Sequence, residues 1–386
     1  MGSVTSSSSV YRGGGSVADG GVLERNGLLT HSHFRNFMIG NRNIRSRRRA
    51  LKRGNMNMKN TYRNLIDLVL IAMVPIFLLS CERIKDNMDD CGIYLEFVYD
   101  YNMDYKDFFD PHVSTVDVFV FDEGGRFLFT KHARREELTR GNRMFLGGNL
   151  HFGKYKILTV GGLTDHFRVA DHNGNVLSPG QTMLDEVRIA LERTTGVVSY
   201  EFSPLWVGKT IEVDYKADLS VWSVNLVKNT NRFNVSLVET EQNAGGRAGT
   251  PVYTLTPEGA VYGHDNSPKQ KEKVTYVPYD LVAGDEPDEL SQGRLNTNRL
   301  MYGDDYEYKL VVRDVPGGNS LWEYDLMELL EEIKAGLYPG STLSMQEFLD
   351  RQSEWDLKIR YKDKGGFVAI AIEINGWIIW LNDIGV

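Results

Sequence analysis

The sequence predicts an all-β fold, mainly β-sandwich with a few short helices, on three observations. Short segments from Ile93 onward alternate apolar and polar residues with period two. Gly-, Asp- and Asn-containing turn signals separate them at regular spacing. Only one segment has a convincing helical period. At 386 residues the chain is long enough for two domains, each able to bury its own core. Apolar content of 41% and charged content of 25% are ordinary for globular protein, so the reading rests on pattern rather than bulk composition.

Residues 1–57 read as a leader, not as core. The chain is first Ser/Gly-rich ("SVTSSSSVYRGGGSVADGG") and then basic ("RNIRSRRRALKRG", Arg42–Gly54), with no apolar period. A basic block of this kind fits a nucleic-acid or targeting arm. An over-extended reading frame with the true start at Met58 or Met56 fits better, because a secretion signal follows at once. Lys59 and Arg63 supply its basic n-region and Leu65–Leu79 its apolar h-region. Leu68–Leu79 is 12 residues, short of the roughly 20 a membrane span needs, and Pro75 weakens a helix further.

The run closes on Leu78-Leu79-Ser80-Cys81, which resembles the bacterial lipobox. Cleavage before Cys81 and acylation of its sulfur need a nucleophilic thiol, a small preceding residue and an extended peptide, and Ser80 and Cys81 meet those needs. Each buried methylene of an acyl chain contributes about 0.8 kcal/mol, so two or more chains hold a protein firmly on a membrane. Residues 58–80 are then the signal peptide, and 81–90 an acidic tether carrying Glu82, Asp86, Asp89 and Asp90. That acidic run is either a solvated spacer or, by resemblance, the export signal of surface-exposed lipoproteins. With Cys81 lipidated, Cys91 has no disulfide partner in the chain. Asp89 and Asp90 would raise its thiol pKa, which favours a packed residue over a nucleophile.

Charge divides the chain in the same place. Residues 1–80 hold 12 Lys/Arg against 3 Asp/Glu, a net of +9, so a total of −8 leaves −17 for residues 81–386. A surface that acidic argues against nucleic acid as a partner.

The mature chain is expected to divide into sandwiches at 91–225 and 226–386. "GIYLEFVYDY" sets Ile93, Leu95 and Val98 inward, and "TVDVFVFD" sets Val116, Val118 and Val120 on one face. Asp122-Glu123-Gly124-Gly125 supplies a tight hairpin turn. Gly153–Leu163 and Lys209–Val227 read as further strands, and "RFNVSLVET" restarts the rhythm after Asn229-Thr230-Asn231. The stretch Glu239–Asp288 reads as strands mixed with long loops. "LWEYDLMELLEEIKAGL" (321–337) predicts an amphipathic helix with Trp322, Leu326, Leu329, Leu330, Ile333 and Leu337 on one face. Ser344-Met345-Gln346-Glu347 is a capping-box pattern that starts a short helix. Two final strands are expected, the second holding Val368, Ile370, Ile372 and Ile374 on one face.

Catalytic signatures are missing from the sequence. The histidines show no metal-ligand spacing, Gly208-Lys209-Thr210 lacks the upstream glycine of a phosphate loop, and no Gly-x-Ser-x-Gly occurs. The acidic "AGDEPDEL" (283–290) lacks the EF-hand pattern. No catalytic residue, metal site or cofactor is expected.

Asp90-Cys91, "YLEFVYDYNMDYKDFF", "VDVFVFDEGGRFL", "NTNRFNVSL", "QEFLDRQSEWDLKIRY" and "INGWIIWLNDI", in that order after a lipobox, resemble the FimB-type fimbrial anchor lipoproteins, relatives of the fimbrillins. The resemblance runs from Cys81 to Val386. It implies two tandem transthyretin-like β-sandwich domains on an outer-membrane lipoprotein that anchors a fimbria and limits its length. It implies lipid attachment at Cys81 and a fimbrillin-like stalk subunit as partner, whose strand enters an open groove or sheet edge of the amino-terminal domain. Cys91, Tyr99, Asp122, Asn231, Asp350, Arg351, Asn375, Gly376 and Trp377 match family positions and are expected to be structural. The rival reading is a surface glycan-binding lipoprotein of a nutrient-uptake system that uses exposed Trp and Tyr residues.

Overall fold

The computed structural model describes residues 92–147, 150–216, 218–240, 252–256, 259–270, 272–286, 288–313, 320–363 and 367–381. The leader, signal peptide, lipobox, acidic tether and Cys91 therefore lie outside the described residues. The first half holds β1 (Ile93–Val98), α1 (Phe109–His112), β2 (Thr115–Asp122), β3 (Phe127–Arg134), β4 (Arg143–Phe145), β5 (Gly153–Gly161), β6 (Phe167–Ala170), β7 (Arg188–Leu191), β8 (Val197–Val198), β9 (Trp206–Tyr215) and β10 (Ser220–Lys228). The second holds β11 (Thr230–Glu239), β12 (Val252–Thr256), β13 (Val261–Tyr262), β14 (Thr275–Tyr276), β15 (Asp280–Ala283), β16 (Glu289–Asn298), β17 (Lys309–Arg313), β18 (Ser320–Asp325), α2 (Leu326–Leu337), α3 (Met345–Arg351), β19 (Glu354–Asp363), β20 (Phe367–Ile374) and β21 (Trp377–Trp380).

A seven-stranded sheet runs β3-β2-β5-β9-β10-β1-β4, and a six-stranded sheet runs β15-β16-β11-β19-β20-β21. A five-stranded sheet (β18-β17-β12-β14-β8) and a three-stranded one (β13-β7-β6) complete the layers. Most neighbours are antiparallel, but β1 lies parallel to β10, β11 to β19 and β14 to β8. The fold is thus β-rich, as the period-two segments require.

Alternation along the strands assigns the cores. Val116, Val118 and Val120 of β2 join Ile93, Leu95, Phe97, Ile157 and Leu226 in one core. Phe119 and Phe121, on the other face of β2, belong to a second core that also takes in Phe233, Val235, Leu357, Ile372 and Ile374. In β1 the strict period buries Ile93, Leu95 and Phe97, so Val98, expected inward, turns to the half-buried side. The Asp122–Gly125 hairpin forms as expected: the Gly125 N–H donates to the Asp122 carbonyl at 2.9 Å, and Gly125 adopts φ +86°. The expected boundary at 225/226 falls inside β10, and only Asn229 separates β10 from β11.

Two boundaries differ from the sequence reading. The helix expected over 321–337 starts at Leu326, because Trp322 and Tyr324 pair with β17 as strand β18 and the Asp325 carboxylate caps the helix by accepting from Met327 N and Glu328 N. Leu326, Leu329, Leu330 and Ile333 are its buried face. The last strand is two strands, β20 and β21, joined by Asn375 (φ 49°) and Gly376 (φ 84°). An Asn-Gly pair with both φ positive is the two-residue hairpin turn whose twist suits adjacent strands.

Candidate strand-accepting edge

The β9–β10 hairpin is closed at its base and open towards its tip. Only Trp206–Gly208 of β9 pairs with β10, opposite Leu226–Lys228. Gly208 permits that close approach, since a Cβ there would sit 2.8 Å from a Val224 methyl. One residue pair further on, Thr210 turns away: its N–H and its hydroxyl both donate to the His264 carbonyl, at 3.4 and 2.9 Å. Over residues 211–214, β9 is paired to β5 on one side and, among the described residues, to no strand on the other. The start of β10 instead follows β1, Ser220 opposite Ile93 through Asn225 opposite Val98. The sheet therefore splits between two strands that remain joined at one end.

A cavity of about 310 Å³ borders the split; its lining is mainly charged, from Glu123, Lys154, Lys156, Glu212 and Asp214, with Tyr155, Val213 and Trp222 as its apolar part. Lys156 lies directly opposite Glu212, and Lys154 opposite Asp214, on the outer face of β5 and β9. Apolar residues around the tip stay open to solvent: Phe152, packed on the Tyr215 ring at 5.2 Å, is 68% exposed, Leu219 59% and Val221 45%. Backbone without a strand partner, a slot and an apolar rim are what an incoming extended chain uses for hydrogen bonds, side-chain pockets and desolvation.

The residues matched to family motifs fall in three places. Tyr99, Asp350 and Arg351 lie where the segment after β1 packs on α3, and Asn231, at the start of β11, bonds to Asn298 beside Arg299 and to Trp355, whose ring packs on Phe348 of α3. Tyr99 is buried with its ring edge-on to Trp206 at 5.8 Å, and burial pushes its hydroxyl pKa up to about 12. The Asn102 amide donates to the carbonyls of Tyr99 and Lys106, at 3.1 and 2.7 Å, and shapes this loop. Arg351 donates to the carbonyls of Asp100 and Asn102, at 3.3 and 3.2 Å, while its guanidinium stands 4.2 and 4.3 Å from the ring centres of Tyr101 and Tyr105. Tyr105, though largely exposed, is thus occupied by a cation.

Beside Arg351, Asp350 accepts two hydrogen bonds from Arg299, at 2.6 and 2.7 Å, and Arg299 also donates to the Asn266 carbonyl. Burial would lower the Arg299 pKa, but the Asp350 carboxylate outweighs it and raises it. Asn231 donates to the Asn298 carbonyl and accepts from the Trp355 indole. Asp122 sits apart in its hairpin, accepting from Arg126 N at 2.8 Å. Asn375, Gly376 and Trp377 form the β20–β21 turn, where the Asn375 side chain accepts from Asp356 N and donates to the Glu354 carbonyl. Cys81, Leu78, Leu79, Ser80, Glu82, Asp86, Asp89, Asp90 and Cys91 lie outside the described residues.

Sequence reasoning missed Arg299, Asn266 and Trp222. Arg299 follows a strand that bears no charge pattern, and Trp222 becomes notable only because β10 leaves β9. Among the described residues no three His, Cys, Asp or Glu side chains group as metal ligands, and no helix is long and apolar enough to cross a membrane.

An open sheet edge in a mostly β protein is a surface to which an extended polypeptide can add as a further strand. The particular family follows from comparison: residues 88–383 match the model of the fimbrillin-A associated anchor proteins Mfa1 and Mfa2, and the chain belongs to that family. Among solved structures, a candidate adhesin from Bacteroides ovatus is 42% identical, with TM-score 0.69 over 75% of this chain and 95% of that one. A candidate polysaccharide-binding protein from Bacteroides thetaiotaomicron is 26% identical, with TM-score 0.64 over 75% and 98%. The fimbrial anchor protein Mfa2 from Porphyromonas gingivalis is 19% identical, with TM-score 0.59 over 75% and 98%, and shares the fold. No curated protein matches the chain.

Proposed function

We propose that this protein is an outer-membrane lipoprotein that anchors a fimbria at the cell surface and limits its length, and that it takes an extended strand of the first fimbrillin-like stalk subunit along the open edge of β9. The observation that carries the strand-accepting part is the split between residues 211–214 and 220–225, with the cavity bordered by Tyr155, Val213 and Trp222. Membership of an anchor family supports the role. The lipobox at Leu78–Cys81 supports lipid attachment at Cys81, with residues 81–90 as tether and 58–80 as signal.

In this reading the two expected sandwiches, 91–225 and 226–386, share packed faces: the core around Phe233 and Leu357 also receives Phe119 and Phe121. The Tyr99, Asn231, Asp350 and Arg351 cluster holds the two parts in register. A membrane-tied amino terminus leaves the chain able to accept a strand but not to pass one on, so it caps one end of the polymer. The family-motif residues are structural, and no catalytic role is assigned.

The test has two parts. Mass spectrometry of membrane-extracted protein should show an acylated amino terminus at Cys81, absent in Cys81→Ala. Cells carrying Cys81→Ala should shed fimbriae into the medium. A mature chain that retains residues 1–80 without lipid, or fimbriae held normally by Cys81→Ala cells, would sink the proposal.

A further inference from the structure

A second open edge lies on β21, at the end of the six-stranded sheet, and it is unlike the edges at β3, β18, β8 and β13. The outer strand β3 carries Lys131, His132 and Arg134 and a register shift beside its hairpin, features that block edge pairing. On β18 the Glu323 carboxylate is tied to Lys309 at 2.6 Å, and β8 and β13 are only two residues long. By contrast β21 reads Trp-Ile-Ile-Trp, with no charge, proline or glycine. Among the described residues no strand pairs with its outer side.

The hairpin geometry fixes which groups are free. In a two-residue hairpin the flanking pair, here Ile374 and Trp377, exchanges both ladder hydrogen bonds, and bonding alternates from there. Trp377 and Ile379 thus bond to β20, while the N–H and C=O of Ile378 and Trp380 turn outward. The side chains keep this edge apolar: Trp377 and Ile378 are each 41% exposed and Trp380 54%, whereas Ile379 is buried. Trp377 rests on α2 at Gly336, where a Cβ would come within 2.2 Å of the indole. One and two turns back along the same stripe of α2 stand Glu332 and Glu328, both exposed.

We propose that β21 is a docking edge for an extended segment of a second polypeptide, apolar at alternate positions and flanked by basic residues. Outward N–H and C=O groups recognise backbone. Ile378 and Trp380 take the alternate side chains, and Glu328 and Glu332 select positive charge at the ends. The same acidic border disfavours a second copy of this chain, which would bring its own Glu328 and Glu332 to the interface. This edge is separate from the β9 split and does not depend on the anchor role.

The test uses full-length protein and a synthetic peptide, Lys-Val-Thr-Val-Thr-Val-Lys with blocked ends, alongside a Glu-flanked counterpart. The basic peptide should bind saturably, shift tryptophan emission to shorter wavelength and slow amide exchange at Ile378 and Trp380. The Glu-flanked peptide should bind at least about tenfold more weakly. Ile378→Lys, at an exposed site, should abolish binding without changing the thermal midpoint. Absent binding, equal binding of both peptides, or binding that survives Ile378→Lys overturns the proposal. So does a concentration-dependent dimer that Ile378→Lys abolishes, which would make a second copy the occupant.

Discussion

Replacing Asp350 by alanine should unfold this protein more readily than any surface change, and the size of the effect follows from the site. The Asp350 side chain is 5% exposed and that of Arg299 11%. Removing one partner of a buried ion pair costs about 3–5 kcal/mol, because the remaining charge is left without compensation. The Gln346 amide loses its 2.8 Å acceptor on Asp350 but keeps the Leu300 carbonyl at 3.1 Å, so little more is added. We expect Asp350→Ala to cost about 3–4 kcal/mol, read as a fall in urea midpoint at unchanged m value. The double replacement Arg299→Met with Asp350→Leu should recover most of that. It removes both charges and leaves only the Asn266 carbonyl without its donor, a loss of about 1–2 kcal/mol. A single-variant cost below about 1 kcal/mol, or a double variant as unstable as the single, would show that burial of this pair does not govern the junction.

Three further outcomes follow. Gly376→Ala forces a side chain to φ 84° and should cost about 1–2 kcal/mol, measured by denaturant unfolding. Asp325→Ala removes the acceptor of Met327 N and Glu328 N and should cost about 1 kcal/mol, with α2 losing amide protection before the strands do. His264 is held below its ordinary pKa, chiefly by burial. Its neutral form therefore contributes stability above about pH 6.5 that is lost as pH falls through the lowered folded-state value. Between about pH 7.5 and about pH 5.5 the wild-type urea midpoint should fall further than that of His264→Gln, and identical slopes would refute the assignment.

Much of the fold was legible because its signals are local. Alternation in "TVDVFVFD" marks β2 and its inward valines, and the Asp-Glu-Gly-Gly turn closes the hairpin to β3. What was misread follows from competition between signals. Trp322 and Tyr324 fit a helical stripe as well as a strand, and the pairing with β17 decides for strand up to the Asp325 cap. The continuous apolar run around Asn375-Gly376 hid a turn that the dipeptide itself announces. The candidate site was not legible at all. Nothing in "WVGKTIEVDY" says that Thr210 will leave the ladder for the His264 carbonyl, because that bond joins residues 54 apart in the chain. Tyr99, Asn231, Asp350 and Arg351 could be picked out by resemblance, but their meeting depends on Arg299 and Asn102, which carry no pattern of their own.

The most direct test of the account is amide hydrogen exchange on the protein with and without the proposed fimbrillin-like stalk subunit. The account predicts that binding slows exchange in 211–214 and 220–225, the two sides of the split, while β2 and β5 are unchanged. Tight binding that leaves both segments exchanging at their free rates would contradict it.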